Sequence, residues 1–371
     1  MGESKLRAGI VGLGVGQAHA RGYLASPDAI IAAVCDTDPT RLEELGAKWG
    51  VSDRYLDYRT MFQDAGLDVV SICLPNALHA DATVAALEAG IHVICEKPMA
   101  TCSADARRML EAAARGGRRL MIAYNHRYRA DVRWMYQMAH SGRLGKIYHA
   151  SAAWRRETGI PGSGWFGNRQ LAGGGVMIDL GVHVIDLALW MMDFPAALTV
   201  SGDTRSVFGG RGLKTWGRPW GMESGQVAHG EFEVEDGAIG FVRLSNEATL
   251  FIHVTWAEHS QPQEDAIRLE LQGTEGTAVL HIRNYRSEDT LRFYTEMQGE
   301  PVTVVPGVRP ARLQSHEALI VDLMDSLKRG VEPATNGQQG LASMAILDAL
   351  YESAETGREV ILQTESRVAS V

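Results

Sequence analysis

Residues 6–123 repeat one unit, a short apolar run followed by a turn and a helical pattern. Apolar runs at Ala8–Val11, Ile30–Cys35, Val69–Leu74, Ile91–Cys95 and Leu120–Ala123 alternate with helix-period segments near Gln17–Ala25, Thr40–Trp49, Thr83–Ala89 and Ala104–Arg115. Runs that are apolar throughout belong to strands covered on both faces, and strands joined through helices run parallel. The pattern predicts a doubly wound parallel sheet. Pro39 after Asp38 fits a first helical turn, and Gly90 and Gly116 fit helix ends.

The pattern changes near residue 124. One long helical segment, Gly175–Met192, precedes period-2 runs at Ala228–Val234, Ala238–Leu244, Thr249–Trp256, Ile267–Gln272 and Ala278–Ile282. Strands in succession without helices between them predict a mostly antiparallel, open-faced sheet in an α+β domain. Helices over about Leu313–Lys328 and Gln338–Thr356 close the chain. With 371 residues, more than one core usually serves, two domains are expected, 1–124 and 125–371. Val207–Gly225, rich in Gly, Arg and Trp, reads as a long loop of the kind that is often functional.

A net charge of −9 excludes broad attraction to nucleic acid or anionic lipid. No apolar run reads as a membrane span, and the polar start Met1–Lys5 predicts no signal peptide. Cys35, Cys73, Cys95 and Cys102 lack metal-type spacing and read as reduced residues of a cytoplasmic protein, with no metal expected.

Three motifs sit where predicted strands end. Gly12-Leu13-Gly14-Val15-Gly16 lies between a strand and a helix, where glycines let the backbone turn and approach a pyrophosphate. Its G-x-G-x-G spacing is one residue short of the usual fingerprint. Asp36 ends the second strand roughly 20 residues later, where a carboxylate accepts hydrogen bonds from an adenosine ribose and repels a 2′-phosphate. The pair predicts NAD rather than NADP. In Leu74-Pro75-Asn76-Ala77-Leu78-His79, Pro75 and Asn76 suit a turn over a cofactor, although Asn76 equally suits a helix cap and His79 a buried structural role. In Cys95-Glu96-Lys97-Pro98, Pro98 holds Lys97 extended at a strand end, facing the ligand crevice.

The second half adds further candidates. Asp179 and His183, at i and i+4 of the predicted helix, are either an oriented base or a self-satisfied polar pair, and Asp186 and Trp190 continue their stripe. Asn125, His126 and Arg127, at the domain junction, contact a ligand or hold the hinge. Trp154-Arg155-Arg156, Trp165-Phe166 and Lys214–Trp220 combine flat rings with cations, suited to sugar faces or to an oligomer interface.

Together the Gly12–Gly16 loop, Pro75-Asn76…His79, Glu96-Lys97-Pro98, Asn125…Arg127 and Gly174-Gly175…Asp179…His183…Asp186 resemble the Gfo/Idh/MocA family of NAD(P)-dependent oxidoreductases over nearly the whole chain. The resemblance implies an N-terminal Rossmann domain, a C-terminal α/β domain whose open sheet packs in homodimers or homotetramers, and bound NAD. It places Lys97, Asp179 and His183 at the catalytic positions. The expected reaction is oxidation of a secondary hydroxyl on a sugar, glycoside or cyclitol. His183 takes the proton, Asp179 holds the imidazole, and Lys97 steadies the oxygen. Two alternatives use the same parts. One is redox-neutral glycoside hydrolysis, with Arg155, Arg156 and Lys214–Arg218 suited to an acidic sugar. The other is a non-catalytic NAD-responsive binding protein.

Overall fold

The apolar runs of the first third form six parallel strands: β1 (Leu6–Val11), β2 (Ala29–Cys35), β3 (Asp53–Tyr55), β4 (Val69–Ile72), β5 (His92–Cys95) and β6 (Leu120–Ile122). Their order, β3-β2-β1-β4-β5-β6, is that of a Rossmann sheet. The structure is a computed structural model that describes residues 4–161, 164–216, 232–261 and 263–362. Helices α1 (Gly16–Ala25), α2 (Pro39–Trp49), α3 (Tyr58–Asp64), α4 (His79–Glu88) and α5 (Ser103–Gly116) connect the strands. Asp38 caps α2 by accepting from the Thr40 and Arg41 amides at 2.9 and 3.2 Å, and Gly50 closes it at φ 69°. The sequence pattern missed β3 and α3 because β3 is a short, half-exposed edge strand with no apolar run to betray it.

The second sheet has nine strands among the described residues, ordered β16-β15-β14-β13-β7-β12-β11-β9-β17. These are β7 (Ile147–Arg156), β9 (Ala197–Arg205), β11 (Gly237–Leu244), β12 (Thr249–Thr255), β13 (Asp265–Gly273), β14 (Thr277–Arg283), β15 (Leu291–Met297), β16 (Glu300–Val304) and β17 (Val360–Ile361). Neighbours are antiparallel except β7 and β12. Central β7 escaped the sequence reading because two of its buried alternate positions are Ala150 and Ala152, too small to stand out. Strand Ala228–Val234 is not found as expected: Phe232–Val234 are irregular, and residues 228–231 lie outside the described residues. Val207–Gly225 contains a short helical turn, Gly209–Arg211, and β10 (Thr215–Trp216), which pairs with β8 (Ile160–Pro161). Gly217, Arg218, Pro219 and Trp220 lie outside the described residues.

The expected long helix Gly175–Met192 is found without a break over residues 176–191, but its start, Met177–Gly181, is wound as a π-turn ahead of α8 (Val182–Met191); a short α7 (Arg169–Ala172) precedes it. By length and composition Arg169–Met191 is apolar enough to cross a membrane, but 83% of its most apolar window is buried inside the fold. The apolarity serves the core.

Helix α6 (Ala130–His140) packs on the second sheet, and α10 (Gly337–Thr356) lies against β9 and α5. Leu350 of α10 seats over Gly202 and Gly240, where an added Cβ would stand 2.6 Å from its side chain. Helix α9 (Ser315–Arg329) returns instead to the first sheet. There Leu319, Ile320, Leu323 and Met324 share a core with Ala20 and Tyr23, and Gly22 allows the close crossing: a Cβ would meet Ile320 at 2.5 Å.

Candidate active site

A cleft of 470 Å³ runs along the carboxyl edge of the parallel sheet, from Asp36 past Gly12 and Gly14 to Glu96, Lys97 and Asp179. Its near end is built by the glycine loop. Gly12 has φ +86° and lies so close to the β4 turn that a Cβ would stand 2.2 Å from the Cys73 carbonyl. Gly14 has nothing within 4 Å of a would-be Cβ, so that face is open to a ligand. Val15 ends the loop and Gly16 begins α1, whose first turn has no side-chain cap. The Gln17 and Ala18 amides donate to the Gly14 and Val15 carbonyls, and the positive end of the helix just ahead of them suits an anion. The missing residue therefore shortens the loop without removing the helix start. Asp36 accepts from the Leu13 amide at 2.8 Å and the Asp38 amide at 2.9 Å, with Arg41 Nη1 at 3.4 Å. It thus holds the glycine loop as well as edging the cleft. A glycine cradle, an uncapped helix start and a carboxylate at the second strand end fit a dinucleotide.

At the far end Lys97 Nζ donates to Asp179 Oδ1 at 2.8 Å and to the Asp179 carbonyl at 3.2 Å. Asp179 Oδ2 accepts from Trp256 Nε1 at 3.0 Å, and Trp256 is fully buried. Burial opposes the charge on Asp179, but the Lys97 and Arg156 charges and the two hydrogen bonds outweigh it and hold the carboxyl below its ordinary value. Among the described residues no hydrogen bond joins Asp179 to His183, contrary to the expected carboxylate–imidazole pair. The π-turn is the reason: its extra residue per turn takes Asp179 off the i, i+4 line, and Lys97 and Trp256 occupy both oxygens.

His183 lies in an aromatic nest, its ring 4.8 Å from His126 and 5.6 Å from Trp154. Both His183 Nδ1 and His126 Nδ1 are buried without a partner. Burial, with Lys97 and His126 nearby, drives the His183 pKa well below its ordinary 6.5. Burial and the Arg129 charge push His126 down to about 3. Both rings are neutral at physiological pH.

Trp165, stacked on Phe166 at 4.2 Å, lines the cleft, as do Leu74 and Pro75. Asn76 also lines it but caps no helix; its amide donates to the Ala172 carbonyl at 2.8 Å and so ties the sheet edge to α7. His79 is displaced from the expected cofactor contact. Fully buried, it has ring nitrogens 2.7 and 2.8 Å from the Pro98 and Leu74 carbonyls. It pins the two turns from behind. Asn125 donates to Ser315 Oγ at 2.8 Å and does not line the cleft.

Three cations expected near substrate are engaged elsewhere. Arg127 is buried against Asp186, with Nε–Oδ2 at 2.8 Å and a second bond from Nη2 to Oδ1, and it also donates to Gln339 Oε1 at 2.8 Å. It is a core ion pair, because α8 carries Asp186 directly beneath it. Arg155 pairs with Glu258, while Lys214 donates to Glu157 Oε1 at 2.8 Å and to the Glu258 carbonyl at 2.7 Å. These pairings engage Arg155 and Lys214 with carboxylates, and Arg218 lies outside the described residues.

Sequence reasoning missed one cluster. Glu96 Oε1 lies 2.9 Å from His19 Nε2 and 3.2 Å from His316 Nε2, and Oε2 accepts from the Lys97 amide at 3.2 Å. His19 Nδ1 meets Ser71 Oγ at 2.9 Å, which meets the Tyr23 hydroxyl at 2.8 Å. The ligand atoms of His19, Glu96 and His316 lie within 4.8 Å of one another, and Glu96 Oε1 sits at hydrogen-bond distance from both imidazoles. This is a hydrogen-bonded triad. Burial works against the Glu96 charge, and the two imidazoles overcome it, holding the carboxyl well below its ordinary value. A histidine at the fourth position of α1 was its one visible signal; His316 is brought in by α9 from far along the chain.

A family model described as the oxidoreductase family, NAD-binding Rossmann fold, matches residues 6–124, and the GFO/IDH/MocA C-terminal domain matches residues 132–279. The chain belongs to the Gfo/Idh/MocA oxidoreductase family. Its cofactor is NAD. It is similar to the D-glucoside 3-dehydrogenase of Escherichia coli K12, 31% identical over 98% of this chain and 99% of that one. The levoglucosan dehydrogenase of Pseudarthrobacter phenanthrenivorans is 28% identical over 77% of this chain and 75% of its own. Among solved structures, a levoglucosan dehydrogenase in complex with NADH and levoglucosan shares the fold, with a TM-score of 0.82 at 24% identity, covering 97% of this chain and 100% of that one.

Proposed function

We propose that this enzyme oxidises a secondary hydroxyl of a sugar, glycoside or cyclitol, with Lys97, Asp179 and His183 as its acid–base set. The observation that carries the reading is the Lys97–Asp179 pair at 2.8 Å in the same cleft as Gly12, Gly14 and Asp36. The residues fitted to hold NAD are Gly12, Gly14, Val15, Gly16, Asp36, Leu74, Pro75 and Asn76, and the bound cofactor supplies the hydride acceptor. Lys97, paired with and aimed by Asp179, donates a hydrogen bond to the substrate oxygen and stabilises its growing negative charge. His183, neutral through burial, takes the hydroxyl proton on its ring. Asp179 thus acts on the lysine, not on the imidazole. Trp165 and Phe166 offer a flat apolar wall against which the C–H face of a sugar ring packs. The sugar dehydrogenases among the relatives support the substrate class.

The test is a panel of glucosides, anhydrosugars and inositols with NAD+, followed by absorbance of the reduced cofactor and by release of the aglycone. Reduced cofactor accumulating without release is expected. Release without accumulation, or no turnover across the panel, refutes the reading.

A further inference from the structure

The triad around Glu96 takes no part in the chemistry above, yet Glu96 itself lines the cleft immediately before Lys97. We infer that Glu96 is a fixed counter-charge that makes this protein favour the oxidised, cationic nicotinamide over the reduced, neutral one.

The carboxylate is 5% exposed and held by donors on both oxygens: two imidazoles on Oε1 and the Lys97 amide on Oε2. Burial and these three hydrogen bonds restrain it at the cleft. The donors come from α1, from the turn after β5 and from the first turn of α9, so three separate elements fix its position. His19 is fully buried, and burial keeps its imidazole from charging despite the Glu96 bond. It therefore orients the carboxylate without cancelling it. The other charges at this end are already matched, Lys97 with Asp179 at 2.8 Å and Arg156 with Asp265 at 2.9 Å. Of the two carboxylates at this end, Asp179 is bonded to Lys97, whereas among the described residues Glu96 meets no lysine or arginine side chain, its other side-chain partner besides His19 being the His316 imidazole at 3.2 Å. With the ribose end of a dinucleotide at Asp36 and its phosphates on the glycine loop, the nicotinamide belongs at the Glu96–Lys97 end. A buried charge acts on a neighbouring cation far more strongly than in water. NAD+ carries that cation and NADH does not.

The experiment needs no sugar, so it stands apart from the substrate reading. Dissociation constants for NAD+, NADH and ADP-ribose are measured by calorimetry at pH 8 on the purified full chain and on Glu96→Gln. Wild-type protein is expected to bind NAD+ at least as tightly as NADH. In E96Q the ratio of NAD+ to NADH dissociation constants rises roughly fivefold or more, while ADP-ribose, which lacks the ring, binds as before. A wild type that prefers NADH tenfold, or an E96Q with ADP-ribose binding intact and an unchanged ratio, overturns the proposal. Should E96Q lose ADP-ribose binding too, the wild-type ratio decides by the same criterion.

Discussion

Replacing Arg127 with methionine tests whether this residue belongs to the core or to the substrate. Arg127 and Asp186 are 2% and 1% exposed, and the guanidinium donates four hydrogen bonds, two of them to Asp186. Its face also lies 5.1 Å from the Trp190 and Phe194 ring centres. Removing it strands a carboxylate with no counter-charge, a change that costs about 3–5 kcal/mol in other buried pairs. Burial already holds Asp186 above its ordinary value despite the pull of Arg127. In R127M the carboxyl rises further and takes up a proton, which limits the loss at low pH. A group whose folded-state pKa lies above its unfolded one contributes stability below the unfolded value and loses it as pH climbs through the folded one. The R127M deficit should therefore grow as pH rises above the ordinary carboxylate range. Replacing both partners, Arg127→Met with Asp186→Leu, should restore most of the loss, since a well-packed apolar pair removes the stranded charge. The assay is urea unfolding followed by circular dichroism, beside KM for the best substrate of the panel. A single variant that unfolds at the wild-type midpoint but raises KM, with no rescue by the double variant, would refute the core assignment.

Other perturbations reach the site directly. Lys97→Met should lower kcat/KM by about 10²–10⁴-fold while NAD+ still binds by calorimetry; near-normal turnover removes Lys97 from the mechanism. Trp256→Phe deletes one bond to a charged oxygen and should slow kcat about tenfold or more with little change in KM, whereas an unchanged kcat would show that Asp179 needs no such support. Because burial keeps His183 neutral well below its ordinary 6.5, the acid limb of kcat/KM should lie well below the ordinary imidazole value. A midpoint at the ordinary imidazole value would exclude the buried state described for it. Asp36→Ala frees the Leu13 amide as well as the ribose edge, so binding of NAD+ and of ADP-ribose should weaken together in titrations.

The parallel sheet was legible because its strands are apolar on both faces and its turns carry glycine and proline at the needed places. Lys97, Asp36 and the glycine loop were legible for the same reason, since each sits at a strand end and strand ends share one edge. The relation of Asp179 to His183 was not. Residue spacing assumes a helix of constant pitch, and the Met177–Gly181 turn departs from it. Arg127, Arg155 and Lys214 misled in another way: a cation displays its charge in the sequence but not its partner, and Asp186, Glu258 and Glu157 come from other elements. His316 reaches Glu96 only through the return of α9, which no local pattern announces.

That return has a bearing on how the chain matures. On a ribosome the parallel sheet emerges long before residues 315–329, so the face of α1 with Ala20, Gly22 and Tyr23 is made early and covered late. A fragment ending at residue 124 would present that greasy seam to solvent and should precipitate, unless a peptide spanning α9 is supplied in trans.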